Sequence, residues 1–236
     1  MSLDAKIRRG LALVFFSTMG SRVASFGADI YLTRLLAVEV FGIMAIGLLV
    51  VNALVLLRSL GVGEALIFRD EVEADSADTA LWISLVLGAF TGGLVYAVAP
   101  WLAAWLAGDH PALAVEVLRV LALLVLLQAA GSVPGALLER ELAFDKRLYV
   151  DTLPALLYAL LAVGLALAGF GIWSMVWGRL ASGLVAAVAA WWCASWRPQW
   201  CWSWERFRQL GGYGRYAAGA AVVSFLVVNI DDVLVA

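Results

Sequence analysis

The sequence predicts an all-α integral membrane protein of six to seven transmembrane helices, and three observations carry that prediction. Of its 236 residues, 64% are apolar and only 14% are charged, whereas soluble domains run about 45–50% apolar and about 25% charged. The mean hydropathy is +0.94. Apolar runs near 11–33, 40–57, 80–106, 113–137, 150–169, 172–194 and 215–236 are each close to the roughly 20 residues that cross a bilayer. Runs such as Leu121-Ala122-Leu123-Leu124-Val125-Leu126-Leu127 lack the period-two alternation of a membrane β-barrel. Separate spans in lipid must satisfy their backbone groups internally, so each is a helix.

The first run follows Lys6, Arg8 and Arg9, as the apolar part of a signal peptide would. It continues through Phe26 to Leu36 without a small-residue cleavage site, which makes it an uncleaved first helix. Gly88, Ala89, Gly92 and Gly93 let the third helix approach a neighbour closely. Pro134 and Pro154 mark kinks or ends in the fourth and fifth. Trp191, Trp192, Trp196, Trp200, Trp202 and Trp204 crowd the end of the sixth, where amphipathic rings favour the headgroup zone. With Arg206, Arg208 and Arg215 they suit a segment lying along the membrane surface. The chain ends at Ala236 inside the seventh run. The expected organisation is therefore a six-helix N-terminal transmembrane bundle over 1–194, a cytoplasmic interfacial segment over 195–214, and the start of a seventh span over 215–236 of a longer protein.

Orientation follows from the basic residues between spans. One side receives Lys6, Arg8, Arg9, Arg58, Arg69, Arg140, Lys146, Arg147, Arg197, Arg206, Arg208 and Arg215, and the other receives Arg34 alone. The N-terminus is expected in the cytoplasm.

Several function classes are excluded. A net charge of −2 points to no nucleic-acid partner. One histidine and two cysteines leave little for metal or disulfide chemistry, and Cys193 and Cys201 have no metal-ligand spacing. No phosphate-binding loop, histidine pair or Gly-x-Ser-x-Gly is present. The sequence predicts no catalytic residue, no metal and no cofactor, with His110 as a solvated residue of a short external turn.

The informative residues are polar ones inside the spans. Thr18, Arg22, Ser25, Asp29 and Thr33 recur at steps of three and four, which is one helical face. A charge in mid-membrane costs on the order of 2.5–3.5 kcal/mol on insertion scales, so such residues face a partner or a wet cavity. Arg119 and Arg179 sit in the fourth and sixth spans, Asp231 and Asp232 in the seventh, and Asn52 in the second. Glu116 and Arg119 alone have a local pairing distance, at i and i+3. Arg22, Asp29, Asn52, Arg119, Arg179, Asp231 and Asp232 are the candidate cavity residues.

Ordered short stretches carry a family resemblance. The run YLTRLLAVEVFGIMAI (31–46), with Arg34-Leu35-Leu36 and Phe41-Gly42, resembles the first-to-second helix connection of the bacterial polysaccharide flippases, a family of the multidrug/oligosaccharidyl-lipid/polysaccharide exporter superfamily. LGVGEALIFRDE (60–71), VPGALLERELAFDKR (133–147), GFGIWSMVWGRL (169–180), WRP (196–198) and NIDDVLVA (229–236) look like later landmarks of that family, in its order. The resemblance implies one lobe of a two-lobed exporter fold in the bacterial inner membrane. It further implies flipping of a polyprenyl-pyrophosphate oligosaccharide to the periplasmic leaflet by alternating access, for exopolysaccharide or lipopolysaccharide biosynthesis. Membrane lipids and a polysaccharide polymerase or export complex are the implied partners. A pyrophosphate suits arginine forks, which makes Arg22, Arg119 and Arg179 the headgroup candidates and the aspartates their counter-charges or a coupling site. A multidrug/cation antiporter of the same superfamily would share the architecture but favour an acidic, aromatic cavity. A membrane-embedded polymerase or ligase would need a sizeable external loop, and the external loops here are short.

Overall fold

The computed structural model describes residues 3–59, 74–106, 110–141, 143–199 and 203–204. Among the described residues there are six helices and no strand: α1 (Leu3–Leu35), α2 (Val38–Ser59), α3 (Ala74–Leu106), α4 (Pro111–Arg140), α5 (Phe144–Leu167) and α6 (Ile172–Cys193). Within α3 to α6, the stretches Ser76–Trp105, Pro111–Arg140, Asp145–Leu167 and Ile172–Cys193 are long and apolar enough to cross a membrane, and α2 holds a shorter apolar stretch, Glu39–Val55. The chain is a multi-pass membrane protein. α1 is 33 residues long but less apolar, because it includes Asp4, Lys6, Arg8 and Arg9 ahead of its apolar run as well as the polar residues from Thr18 to Thr33.

Local chemistry sets the helix ends. α4 starts with Pro111 in its first turn, where the missing N–H is harmless, and His110 occupies the N-cap position. α5 ends in a Schellman motif: Phe170 N–H donates to Leu165 O at 3.1 Å and Gly169 N–H to Ala166 O at 3.0 Å. Gly169 and Gly171 have φ of +85° and +57° in this turn, a region other residues rarely enter. α5 begins at Phe144, so Lys146 and Arg147, expected in a loop, lie in its first turn. Pro134 and Pro154 fall inside α4 and α5, as does Pro100 inside α3.

Contacts fix the relative directions. Rising through α3, Gly88, Gly92 and Tyr96 meet Ala129, Ala122 and Arg119 of α4 in descending order, so the two helices are antiparallel. A Cβ at Gly88 would collide with that of Ala129, which makes glycine a condition of this approach. Gly183 and Gly131 place α6 parallel to α4, against Leu124 and Ala187 respectively. Ser21 and Asp29 meet Asp151 and Tyr158, so α1 runs parallel to α5. α4 is central: Val117, Leu121 and Val125 are fully buried among Leu32, Met44, Val51, Tyr158 and Val176. α1 leans mainly on α5.

The outer faces suit lipid, with Phe26, Phe90, Leu160 and Val188 exposed. Exposed Trp82 and Trp101 stand 19 positions apart on α3, about 28 Å at 1.5 Å per residue, close to the roughly 30 Å hydrocarbon thickness. Near the start of α3, Ala77, Ala80 and Leu81 form a second apolar cluster with Val133, Leu137, Trp191 and Trp196. Residues 194–199 are not helical. They lie across this end, with Gln199 N–H donating to Asp78 Oδ2 at 2.9 Å, and Trp191 Nε1–H of α6 donates to Ala130 O at 2.9 Å. The surface segment expected from Trp200 onward, and the seventh span with Asp231 and Asp232, lie outside the described residues apart from Ser203 and Trp204.

Candidate functional site

Thr18, Ser21, Arg22, Ser25 and Asp29 of α1 line a groove of about 850 Å³, with Arg147, Val150, Asp151 and Pro154 of α5 and Ala186 of α6 opposite. Val23 and Phe26 form its apolar margin. The polar face of α1 therefore points into open space between helices. Thr33, one turn further on, stays out of the groove and donates its hydroxyl to Ile30 O at 2.7 Å.

The two walls share a register. From Arg22 to Asp29 and from Asp151 to Tyr158 are both seven-residue steps, two helical turns. Because α1 and α5 are parallel, one level of the groove holds Ser21, Arg22, Arg147 and Asp151, and the next holds Asp29 and Tyr158. At the first level Ser21 Oγ donates to Asp151 O at 3.3 Å. Arg147 donates through Nε to Asp151 Oδ2 at 3.2 Å and also pairs with Glu139 of α4. Arg22 is exposed to the groove, and among the described residues it has no ion-pair partner. Pro154 has no N–H to offer the carbonyl of Val150, leaving a backbone acceptor on this wall.

At the second level three helices meet through side chains. Tyr158 hydroxyl donates to Asp29 Oδ1 at 2.6 Å. Arg179 Nη2 of α6 lies 3.8 Å from Asp29 Oδ2, and its guanidinium carbon lies 4.0 Å from the centre of the Tyr158 ring. Tyr158 is 1% exposed. The Asp29 and Arg179 side chains remain 35% and 31% exposed, so this ion pair is only partly shielded by the described helices.

Arg119 lies elsewhere. It lines a second groove, of about 630 Å³, with Ala89, Gly92, Gly93 and Tyr96 of α3. Its guanidinium carbon is 4.8 Å from the centre of the Tyr96 ring. The two grooves share no lining residue. Asn52 is exposed on α2 and lines neither. The structure thus brings Arg22, Asp29 and Arg179 to one region and keeps Arg119 and Asn52 apart from it.

Sequence reasoning missed Tyr158, Arg147 and Asp151. A signal was present: they fall at steps of four and seven on one face of α5, as the polar residues of α1 do. Arg147 was obscured because the basic cluster around it reads as a loop.

The chain matches the polysaccharide biosynthesis protein family over residues 31–236. It is 28% identical over 235 residues to the succinoglycan biosynthesis transport protein ExoT of Rhizobium meliloti (strain 1021). That alignment covers 99% of this chain and 47% of the relative, so the chain spans about half the length of the curated relative it matches. No solved structure matches the chain significantly.

Proposed function

The chain belongs to the polysaccharide biosynthesis protein family, and from that premise we propose that it forms one lobe of an inner-membrane exporter. In this reading the exporter flips a lipid-linked oligosaccharide from the cytoplasmic to the periplasmic leaflet by alternating access, with the N-terminus cytoplasmic. The six helices over 1–194 are the bundle, 195–214 the cytoplasmic interfacial segment, and 215–236 the start of a seventh span. The chain carries its substrate without covalent chemistry.

The observation that carries the proposal is the groove of about 850 Å³ in which the Arg22 guanidinium stands without an ionic partner among the described residues. A pyrophosphate presents paired oxygens, and a guanidinium fork meets two at once. Thr18, Ser21 and Ser25 offer hydroxyls to the first sugars, and Val23 and Phe26 offer an apolar margin to the lipid chain. Asp29, Tyr158 and Arg179 close the second level. The partly exposed Asp29–Arg179 pair is the element whose breaking or forming accompanies movement of α1 against α5 and α6.

Photo-crosslinking tests the assignment. The natural full-length polypeptide in vesicles is irradiated with a polyprenyl-pyrophosphate sugar bearing a photoreactive group on the first sugar, and the adducts are mapped. Adducts within 18–29 and 147–154 are expected. Adducts confined to α2 or α3 would overturn the groove assignment.

A further inference from the structure

The second groove has features the first lacks. Its floor is the close α3–α4 contact at Gly92, where a Cβ would stand 3.1 Å from Ala122 O, yet a Cβ at Gly93 would meet nothing within 4 Å. The result is a trough with a bare helix backbone on one side. Its other side includes Leu123 and Leu126, 52% and 37% exposed, so it opens on an apolar outer face of the described helices.

Two opposite charges sit at one end of this trough. Glu116 and Arg119 both line it and are three residues apart on α4, about 4.5 Å along the axis. Despite that spacing they form no ion pair among the described residues. Arg119 rests on the Tyr96 ring, and its buried Nε has no hydrogen-bond partner. Glu116 is exposed. α4 has 30 residues and is about 45 Å long, against a hydrocarbon layer of roughly 30 Å. With the excess shared between its ends, Glu116 stands at the hydrocarbon boundary and Arg119 one turn inside it. The side chain of Arg119 leans toward the helix N-terminus, back toward the headgroups.

From this arrangement we infer that the α3–α4 trough binds a zwitterionic bilayer phospholipid of the phosphoethanolamine class. Arg119 takes the phosphate, Glu116 takes the ammonium, and an acyl chain lies along Gly93, Leu123 and Leu126. The order of charges selects this headgroup. A lipid phosphate lies nearer the hydrocarbon than its amine, as Arg119 lies deeper than Glu116. A purely anionic headgroup offers Glu116 at best a neutral hydroxyl donor, without the positive charge that an ammonium brings, or else a second anion. An ethanolammonium gives that carboxylate N–H donors, which a quaternary choline lacks. The site is independent of the substrate groove and holds whatever that groove carries.

Native mass spectrometry of the purified protein in detergent tests this, with added phosphatidylethanolamine, phosphatidylglycerol or phosphatidylcholine of the same acyl chains. Phosphatidylethanolamine is expected to bind about ten-fold more tightly than the other two, the range of one charge-assisted hydrogen bond. Glu116→Gln is expected to remove that preference without weakening phosphatidylglycerol. Arg119→Gln is expected to weaken all three. Gly93→Leu touches no charge and points into open space, so it leaves the fold intact while filling the trough; it is expected to abolish the tight site. Equal binding of the three lipids by the unmodified protein would overturn the inference. A preference that survives Glu116→Gln, or tight binding that survives Gly93→Leu, would do the same.

Discussion

The α1–α5–α6 region and the α3–α4 region each hold an arginine that sequence alone places in the same setting, inside an apolar span. The structure treats them differently. Arg179 has a carboxylate at 3.8 Å and stacks on a tyrosine whose hydroxyl binds the same carboxylate. Arg119 has a tyrosine ring and no acidic partner among the described residues. The helix contacts differ in the same sense. α3 meets α4 through glycines that let backbones approach, whereas α1 meets α5 through hydrogen bonds. Lipid supplies little hydrophobic drive between helices, and these are its two available substitutes. Close packing leaves nothing to rearrange. Polar contacts across an open groove can break and re-form, which is the property that the proposed alternating access requires.

Mutations can break this comparison, beginning with the largest expected effect. Arg179→Ala leaves Asp29, among the described residues, with one hydrogen bond and no counter-charge. Breaking a buried pair costs about 3–5 kcal/mol and an exposed one up to about 1 kcal/mol; for this pair, about one-third exposed, a loss between these limits, about 2–3 kcal/mol, is expected. Thermal unfolding in detergent should show the loss, and adding Asp29→Asn should recover most of it. If the double variant is no more stable than Arg179→Ala, the pair is not a unit.

Gly88→Val overpacks the α3–α4 contact, where no side chain fits against Ala129. A loss of about 1–3 kcal/mol is expected in the same unfolding measurement. An unchanged midpoint would show that α3 and α4 are not held by backbone approach. Tyr158→Phe removes one hydrogen bond to Asp29 and keeps the ring under Arg179, so a smaller loss of about 1 kcal/mol is expected. The smallest effect is at Arg119. Replacement by leucine removes a cation–π contact of about 0.5–1 kcal/mol together with the insertion cost of a charge. Stability should therefore hardly change, and a loss as large as that of Arg179→Ala would erase the difference between the two regions.

The sequence made the helices legible and the pairing of their faces much less so. Apolar runs located all six helices because lipid leaves the backbone no other solution. Boundaries failed where a helix outlasts its apolar part: α5 carries Lys146 and Arg147 in its first turn, and charge alone reads there as loop. The polar face of α1 was legible from its steps of three and four, and Arg22 and Asp29 do line one groove. The partners of Asp29 were not legible. Tyr158 and Arg179 are 129 and 150 positions away, and only the parallel register of α1 with α5 brings the first of them to the carboxylate. For the same reason Arg119 and Arg179, alike in sequence setting, could not be assigned to separate regions until the positions of α3 and α6 around α4 were known.

In the proposed exporter Arg22 meets the substrate phosphate, whereas Arg179 holds Asp29 and so ties α6 to α1. Translocation and thermal stability measured together, in the natural full-length polypeptide, for Arg22→Ala, Arg22→Lys and Arg179→Ala separate these two roles. Arg22→Ala should abolish flipping of a fluorescent lipid-linked oligosaccharide in vesicles while leaving the unfolding midpoint in place. Arg22→Lys should restore flipping only partly, because a point charge replaces a fork. Arg179→Ala should lower the midpoint. Normal flipping by Arg22→Ala, or a fall in its midpoint matching that of Arg179→Ala, would rule out a phosphate-binding role for Arg22.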